Sequence, residues 1–169
     1  MLKQAIPVFL VFLICISCSE AGSDFLYVQK IDSIRVEKSR RLMHLLHNGK
    51  CIKSYHISLG QNPVGDKVQE GDNKTPEGTY IIDGKISEGR YYRYLSISYP
   101  DENDRDRANG LGVNPGGDIM IHGLPWGYGW LGRLHLLRDW TYGCIAVTNR
   151  EMDELYTIIE TGTPVEIVP

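Results

Sequence analysis

Residues 42–59 read LMHLLHNGKCIKSYHISL, and this stretch decides the fold class. Two runs suited to a pleated, half-buried surface, Leu42 to His47 and Cys51 to Leu59, flank Asn48-Gly49. Asn-Gly between such runs is the strongest short hairpin signal, because both turn positions need a positive φ that these residues tolerate. Upstream, the alternation of apolar and polar residues reaches back to Phe25, broken at Ser39 to Arg41, so the opening third reads as a β-meander. Downstream, Gly60 to Gly78 is crowded with Gly, Pro, Asp and Asn and reads as a long loop, a place where function often resides. Strand character returns at Thr79 to Ile86, Tyr92 to Ser98, Ile119 to Ile121, Ile145 to Val147 and Pro164 to Val168. Asp101 to Asn109 is charged and lacks an apolar stripe, which suits an exposed turn or short helix, and the glycine loop Gly110 to Gly117 follows. Thr148 and Glu151 form a capping box, and Met152, Leu155, Ile158 and Ile159 make one helical face that should end at Gly162. The expectation is a single mostly β domain with one C-terminal helix and short helical turns.

The first residues read as an export segment, residues 1–17: Lys3 supplies a positive start, and Ala5 to Ile16 is apolar apart from Pro7 and Cys15. The run is too short for a permanent membrane span. Ile16-Ser17-Cys18 suits lipid attachment at Cys18, with plain signal cleavage near Ala21 as the competing reading. Residues 18–33 would then be a mature N-terminal segment and 34–168 the main domain, enough chain for one core. Of the 18 Lys and Arg only Lys3 would leave, so the mature balance is 17 basic against 21 acidic residues. That sign argues against a nucleic-acid partner. Cys51 and Cys144 remain in an oxidising compartment, either as a staple or as a small buried hydrophobe and a reactive thiol.

Cys144 follows Thr141, Tyr142 and Gly143 in a small-residue turn that opens onto a strand and a capped helix. A glycine before the thiol lets backbone amides approach a reacting carbonyl, as an oxyanion hole requires. A thiol with an ordinary pKa is only a few per cent thiolate near neutrality, so it needs a base. His122, at the end of the Ile119 to Ile121 run, meets Cys144 if the two short strands are neighbours.

These residues resemble a family. Ile121-His122-Gly123 and Thr141-Tyr142-Gly143-Cys144-Ile145 are similar to the active-site signature of L,D-transpeptidases of the YkuD type. Ser58-Leu59-Gly60-Gln61-Asn62-Pro63-Val64-Gly65 and Gly71-Asp72-Asn73-Lys74-Thr75-Pro76-Glu77-Gly78 are similar to two further stretches of it. The resemblance covers roughly Ile34 to Val168. It implies a YkuD-like β-sandwich or barrel whose thiol takes the acyl group of a peptidoglycan stem peptide and passes it to an amine or to water. It maps the nucleophile to Cys144 and the base to His122, puts the orienting carbonyl near Gly123, and lets Gly143 and Cys144 supply oxyanion amides. This chain departs from many members in carrying Tyr142 where they have His, and Ala146 where they have Arg. Tyr142 donates a hydrogen bond but carries no positive charge at neutral pH. Those departures resemble a branch that includes hydrolases, so an L,D-carboxypeptidase or a wall amidase stands beside transpeptidation.

Trp126, Tyr128, Trp130 and Trp140 suit either a lid over substrate or a loop packed on its own aromatic core. Arg133 and Arg138 suit a substrate carboxylate, since the guanidinium fork matches that geometry. The Gly71 to Gly78 loop lacks the ending of a phosphate cradle. A metal set from His122, His135, Asp139 and Cys144 lacks any close-spaced ligand pair, so no metal or cofactor is expected. The remaining rival is a non-catalytic wall-binding module. The expected partner is the peptidoglycan stem peptide, and the expected state is a monomer, exported to the periplasm or envelope.

Overall fold

The computed structural model describes residues 30–169. The export segment, Cys15, Cys18 and most of the 18–33 segment lie outside the described residues. The opening meander consists of β1 (Ser33–Glu37), β2 (Leu42–His47) and β3 (Lys50–His56). It turns at Asn48 and Gly49, with φ of 49° and 71°, and both joins are antiparallel. Then come β4 (Gly78–Ile86), β5 (Tyr94–Ile97), helix α1 (Glu102–Leu111), β6 (Met120–His122), a 3-10 segment (Gly129–Leu137), β7 (Ile145–Ala146), helix α2 (Asn149–Ile158) and β8 (Pro164–Val168).

All eight strands join one sheet, in the order β3-β2-β1-β8-β4-β5-β6-β7. One buried apolar cluster draws on every strand, from Ile34 and Met43 through Ile82, Leu95, Ile121 and Ile145 to Val165, and adds Met152 and Leu155 of α2. A single sheet contributes to one core from end to end only by curling around it. The C-terminal β8 lies between β1 and β4, parallel to the first and antiparallel to the second. That placement leaves β6 and β7 at the other end of the sheet, where they form a parallel pair.

Two elements differ from the sequence reading. Asp101 to Asn109 belongs to a full helix, α1, capped by Asp101 and Asp104 at one end and Gly112 at the other. It shows no apolar stripe because it buries only Asp104 and Ala108. Helix α2 begins at the expected Thr148–Glu151 capping box but stops at Ile158, not Gly162. Ile159 turns extended and is fully buried, so core packing takes it out of the helix before the glycine is reached. The aromatic loop before Trp140 holds two short 3-10 turns broken at Gly132, in keeping with the short helical turns expected. No helix among the described residues is long and apolar enough to cross a membrane.

Candidate active site

The parallel strands β6 and β7 pair Ile121 with Ile145 and His122 with Ala146. Both isoleucines enter the core, so alternation sends the residues beside them to the opposite face. His122 and Cys144 therefore share a face one strand apart, at roughly 8 Å between Cα atoms by strand geometry. Tyr91 reports the same closeness. Its ring stacks on His122 at 4.2 Å and 22°, while burial, with Cys144 adding to it, pushes its hydroxyl up. Nothing in the sequence reading singled out Tyr91; the only signal was its place in a run of tyrosines opening β5.

His122 is buried, and its Nδ1 lies 2.7 Å from the Gly123 carbonyl oxygen. A carbonyl only accepts, so Nδ1 carries the hydrogen and Nε2 is left with its lone pair. Burial lowers the imidazole to about 4, with His135 nearby adding to the effect. Burial raises the Cys144 thiol, against the Met120 amide and the Lys67 cation, which favour the thiolate. The resting pair is thus a neutral thiol and a neutral imidazole. Cys144 is a free, half-buried thiol whose Sγ lies 3.4 Å from the Asp118 carbonyl oxygen, so no Cys51–Cys144 staple forms. Cys51 is half-buried on β3, with its Sγ 3.5 Å from the Ser54 hydroxyl.

The turn carrying the thiol rests on two loops. Gly143, at φ 135°, has no room for a Cβ: the Lys74 carbonyl oxygen would lie 2.7 Å away. A Cβ on Gly60 would meet the Asn73 carbonyl oxygen at 2.2 Å and the Gly143 Cα at 3.1 Å. Thr141 ties the turn, accepting from the Gly143 amide at 3.1 Å and donating to the Cys144 carbonyl at 2.7 Å. This corrects one expectation: the Gly143 amide is already bonded, which leaves the Cys144 amide of the expected oxyanion pair. The loops are held from within. Asp72 accepts from Lys67 at 2.9 Å and from the amides of Val68, Gln69 and Lys74. Burial alone would raise the Asp72 carboxyl, but those bonds hold it below the usual range. The buried Lys38 donates to the carbonyls of Gly65 and Thr75 and to Glu77.

The remaining expected residues divide. Trp140 enters the site, edge-on to His122 at 5.8 Å and to His135 at 6.2 Å. Arg138 lines a cavity of about 290 Å³ with Gln61, Asp139 and Trp140, whereas Arg133 is exposed on the 3-10 segment and does not reach that cavity. Trp126 packs on Tyr92, Tyr142 is exposed at the rim of the turn, and Tyr128 and Trp130 face outward, so neither a complete lid nor a closed aromatic core forms. Asp139 is spent on Arg41 and on the Leu59 amide. Among the described residues no three of His, Cys, Asp and Glu are grouped to hold a metal ion.

Comparison with known proteins places this geometry. Residues 31–167 match the family of the L,D-transpeptidase catalytic domain, YkuD. YafK of Escherichia coli strain K12, named as a candidate L,D-transpeptidase, is 31% identical over 112 residues, which cover 65% of this chain and 38% of that protein. The chain thus spans well under half the length of that relative. Among solved structures, the helical cell shape determining protein Pgp2 of Campylobacter jejuni superposes with a TM-score of 0.60 at 24% identity, covering 86% of this chain and 55% of that one. Bd1075 of Bdellovibrio bacteriovorus gives 0.57 at 23% identity, covering 84% and 49%.

Proposed function

The chain belongs to the L,D-transpeptidase catalytic-domain family (YkuD), and from that premise we propose that it is an exported cell-wall enzyme whose Cys144 takes the acyl group of a peptidoglycan stem tetrapeptide. The observation that supports this most is the pairing of β6 with β7, with a buried, oriented imidazole on β6 and a free thiol in the turn that enters β7. Nε2 of His122 accepts the thiol proton as Sγ attacks the carbonyl carbon. The oxygen gains negative charge against the Cys144 amide. The C–N bond then breaks, the proton passes from His122 to the departing D-amino acid, and a thioester remains. An amine of a second stem, or water, gives a proton to His122 and attacks the thioester, and Sγ leaves with that proton. Arg138 faces the cavity where a substrate carboxylate would sit. Cys18 would carry a lipid anchor, and residues 34–168 would act as a monomeric catalytic unit.

Labelling by a thiol-reactive carbapenem tests the reading by intact mass. The expected result is one adduct at Cys144, formed at least about a hundred-fold more slowly in His122→Ala, because the base is gone. An inert Cys144 in folded protein would instead favour a module that only binds the wall.

A pH profile tests the protonation states. His122 stays neutral until the pH falls to about 4, so acidification removes the base only there. The acid limb of kcat/KM should have its midpoint near that value. A midpoint near 6.5, the ordinary value for histidine, would contradict the burial argument.

A further inference from the structure

We propose that the trough between the Gly89 loop and Trp126 is a carbohydrate subsite, which holds an N-acetylhexosamine of the glycan strand that bears the stem peptide. The identity of the sugar rests on the proposed function; the site itself rests on geometry. The trough measures about 660 Å³ and is lined by Ser87, Glu88, Gly89, Tyr92, Arg93 and Trp126, a volume typical of small-molecule sites. Its two rings lie 5.5 Å apart at 71°. Trp126 is 58% exposed, yet its indole N–H donates to the Gly89 carbonyl at 2.8 Å. A large ring left in solvent and held in place is a stacking platform whose ordering cost was met on folding.

The polar rim is fixed as well. Arg93 sits at φ 46°, a conformation few residues with a side chain adopt, and is held by Asp153 at 3.2 Å and by the Tyr156 ring at 4.9 Å. Asp153 also accepts from the Tyr92 hydroxyl at 2.8 Å. Charges of both signs, Glu88 and Arg93, border one apolar face. A phosphate would meet Glu88, and a basic peptide would meet Arg93. A neutral ring with one apolar face and hydroxyl and amide groups at its edge meets neither penalty and uses both partners.

Position ties the trough to the thiol. Tyr91 and Tyr92 are successive residues serving opposite sides: Tyr91 stacks on His122, while Tyr92 lines the trough and accepts the Gly123 amide at 2.9 Å. A tetrapeptide that loses its last residue keeps three between the sugar and the reacting carbonyl, about 10 Å when extended.

The test uses the full chain carrying Cys144→Ala, titrated with peptide-free N-acetylglucosamine tetramer and followed by saturation-transfer NMR and calorimetry. Saturable binding is expected. Adding Trp126→Ala should weaken it about ten-fold or more, Trp126→Phe should keep most of it, and Trp130→Ala, which alters an exposed ring outside the trough, should leave it unchanged. No saturable binding, or equal binding with and without the Trp126 ring, would overturn the proposal. The readout needs no turnover, so failure of the thioester chemistry and failure of the subsite show up separately.

Discussion

Cys144→Ala should abolish turnover of defined muropeptides, by at least about 10⁴-fold, while leaving the fold intact. The size follows from the role: without sulfur there is no acyl carrier, and His122, already neutral, has no proton to receive. The fold should survive because the turn is fixed by other atoms. Thr141 ties it through the Gly143 amide and the Cys144 carbonyl, and Gly143 lies against Lys74, none of which involves sulfur. Removing one half-buried sulfur should cost no more than about 1 kcal/mol. Mass spectrometry of products from tetrapeptide and pentapeptide muropeptides measures the first part, separating cross-linked dimers from trimmed monomers. A thermal melt within about 3 °C of the parent measures the second. A folded alanine variant that still turned over at one per cent of the parent would end the thiol mechanism.

Lys38→Ala should produce the largest loss of stability from a single residue outside the apolar core. The side chain is 2% exposed and its ammonium makes three bonds, at 2.7 Å to Gly65, 2.8 Å to Thr75 and 2.8 Å to Glu77. Truncation leaves the Glu77 carboxylate without its cation and strips the two carbonyls of a donor. Breaking a buried pair from one side typically costs about 3–5 kcal/mol, which for a chain of this size lowers Tm by roughly 10 °C. The damage should also reach the chemistry. Lys38 clamps both ends of the loop that carries Asn73 and Lys74, on which Gly60 and Gly143 rest. Below its lowered Tm, the variant should therefore lose kcat by roughly ten-fold or more. Lys50→Ala, on the exposed hairpin, should match the parent in both measurements. A Lys38→Ala melt indistinguishable from that control would show that the clamp contributes nothing.

Much of the local structure was legible because local rules govern it. The Asn48-Gly49 hairpin, the Thr148–Glu151 capping box and the short β6 and β7 runs depend on φ preferences, orphan amides and alternation, which act over a few residues. Helix α1 was only half seen, because a helix that buries little shows no apolar period. Helix α2 was read four residues too long, because nothing near Ile159 announces that the core will claim it. Tyr91 was missed for a related reason: a tyrosine among tyrosines shows no chemistry until its ring is found against an imidazole. The Gly143 amide was assigned to an oxyanion because its bond to Thr141 depends on how the turn closes, not on its spacing.

The sequence by itself determined the β class, the selection of Cys144 and His122 as the proposed reacting pair, and the likeness of four separated segments to one family. Residue chemistry and short-range conformational preference suffice for those. The tertiary structure decided that β8 inserts between β1 and β4, that Lys38 and Lys67 are buried as clamps, that Arg138 rather than Arg133 reaches a cavity, and that Tyr91 faces the imidazole. Each of these depends on which distant backbone fills the space beside a residue, and packing of a curled sheet, not local preference, sets that.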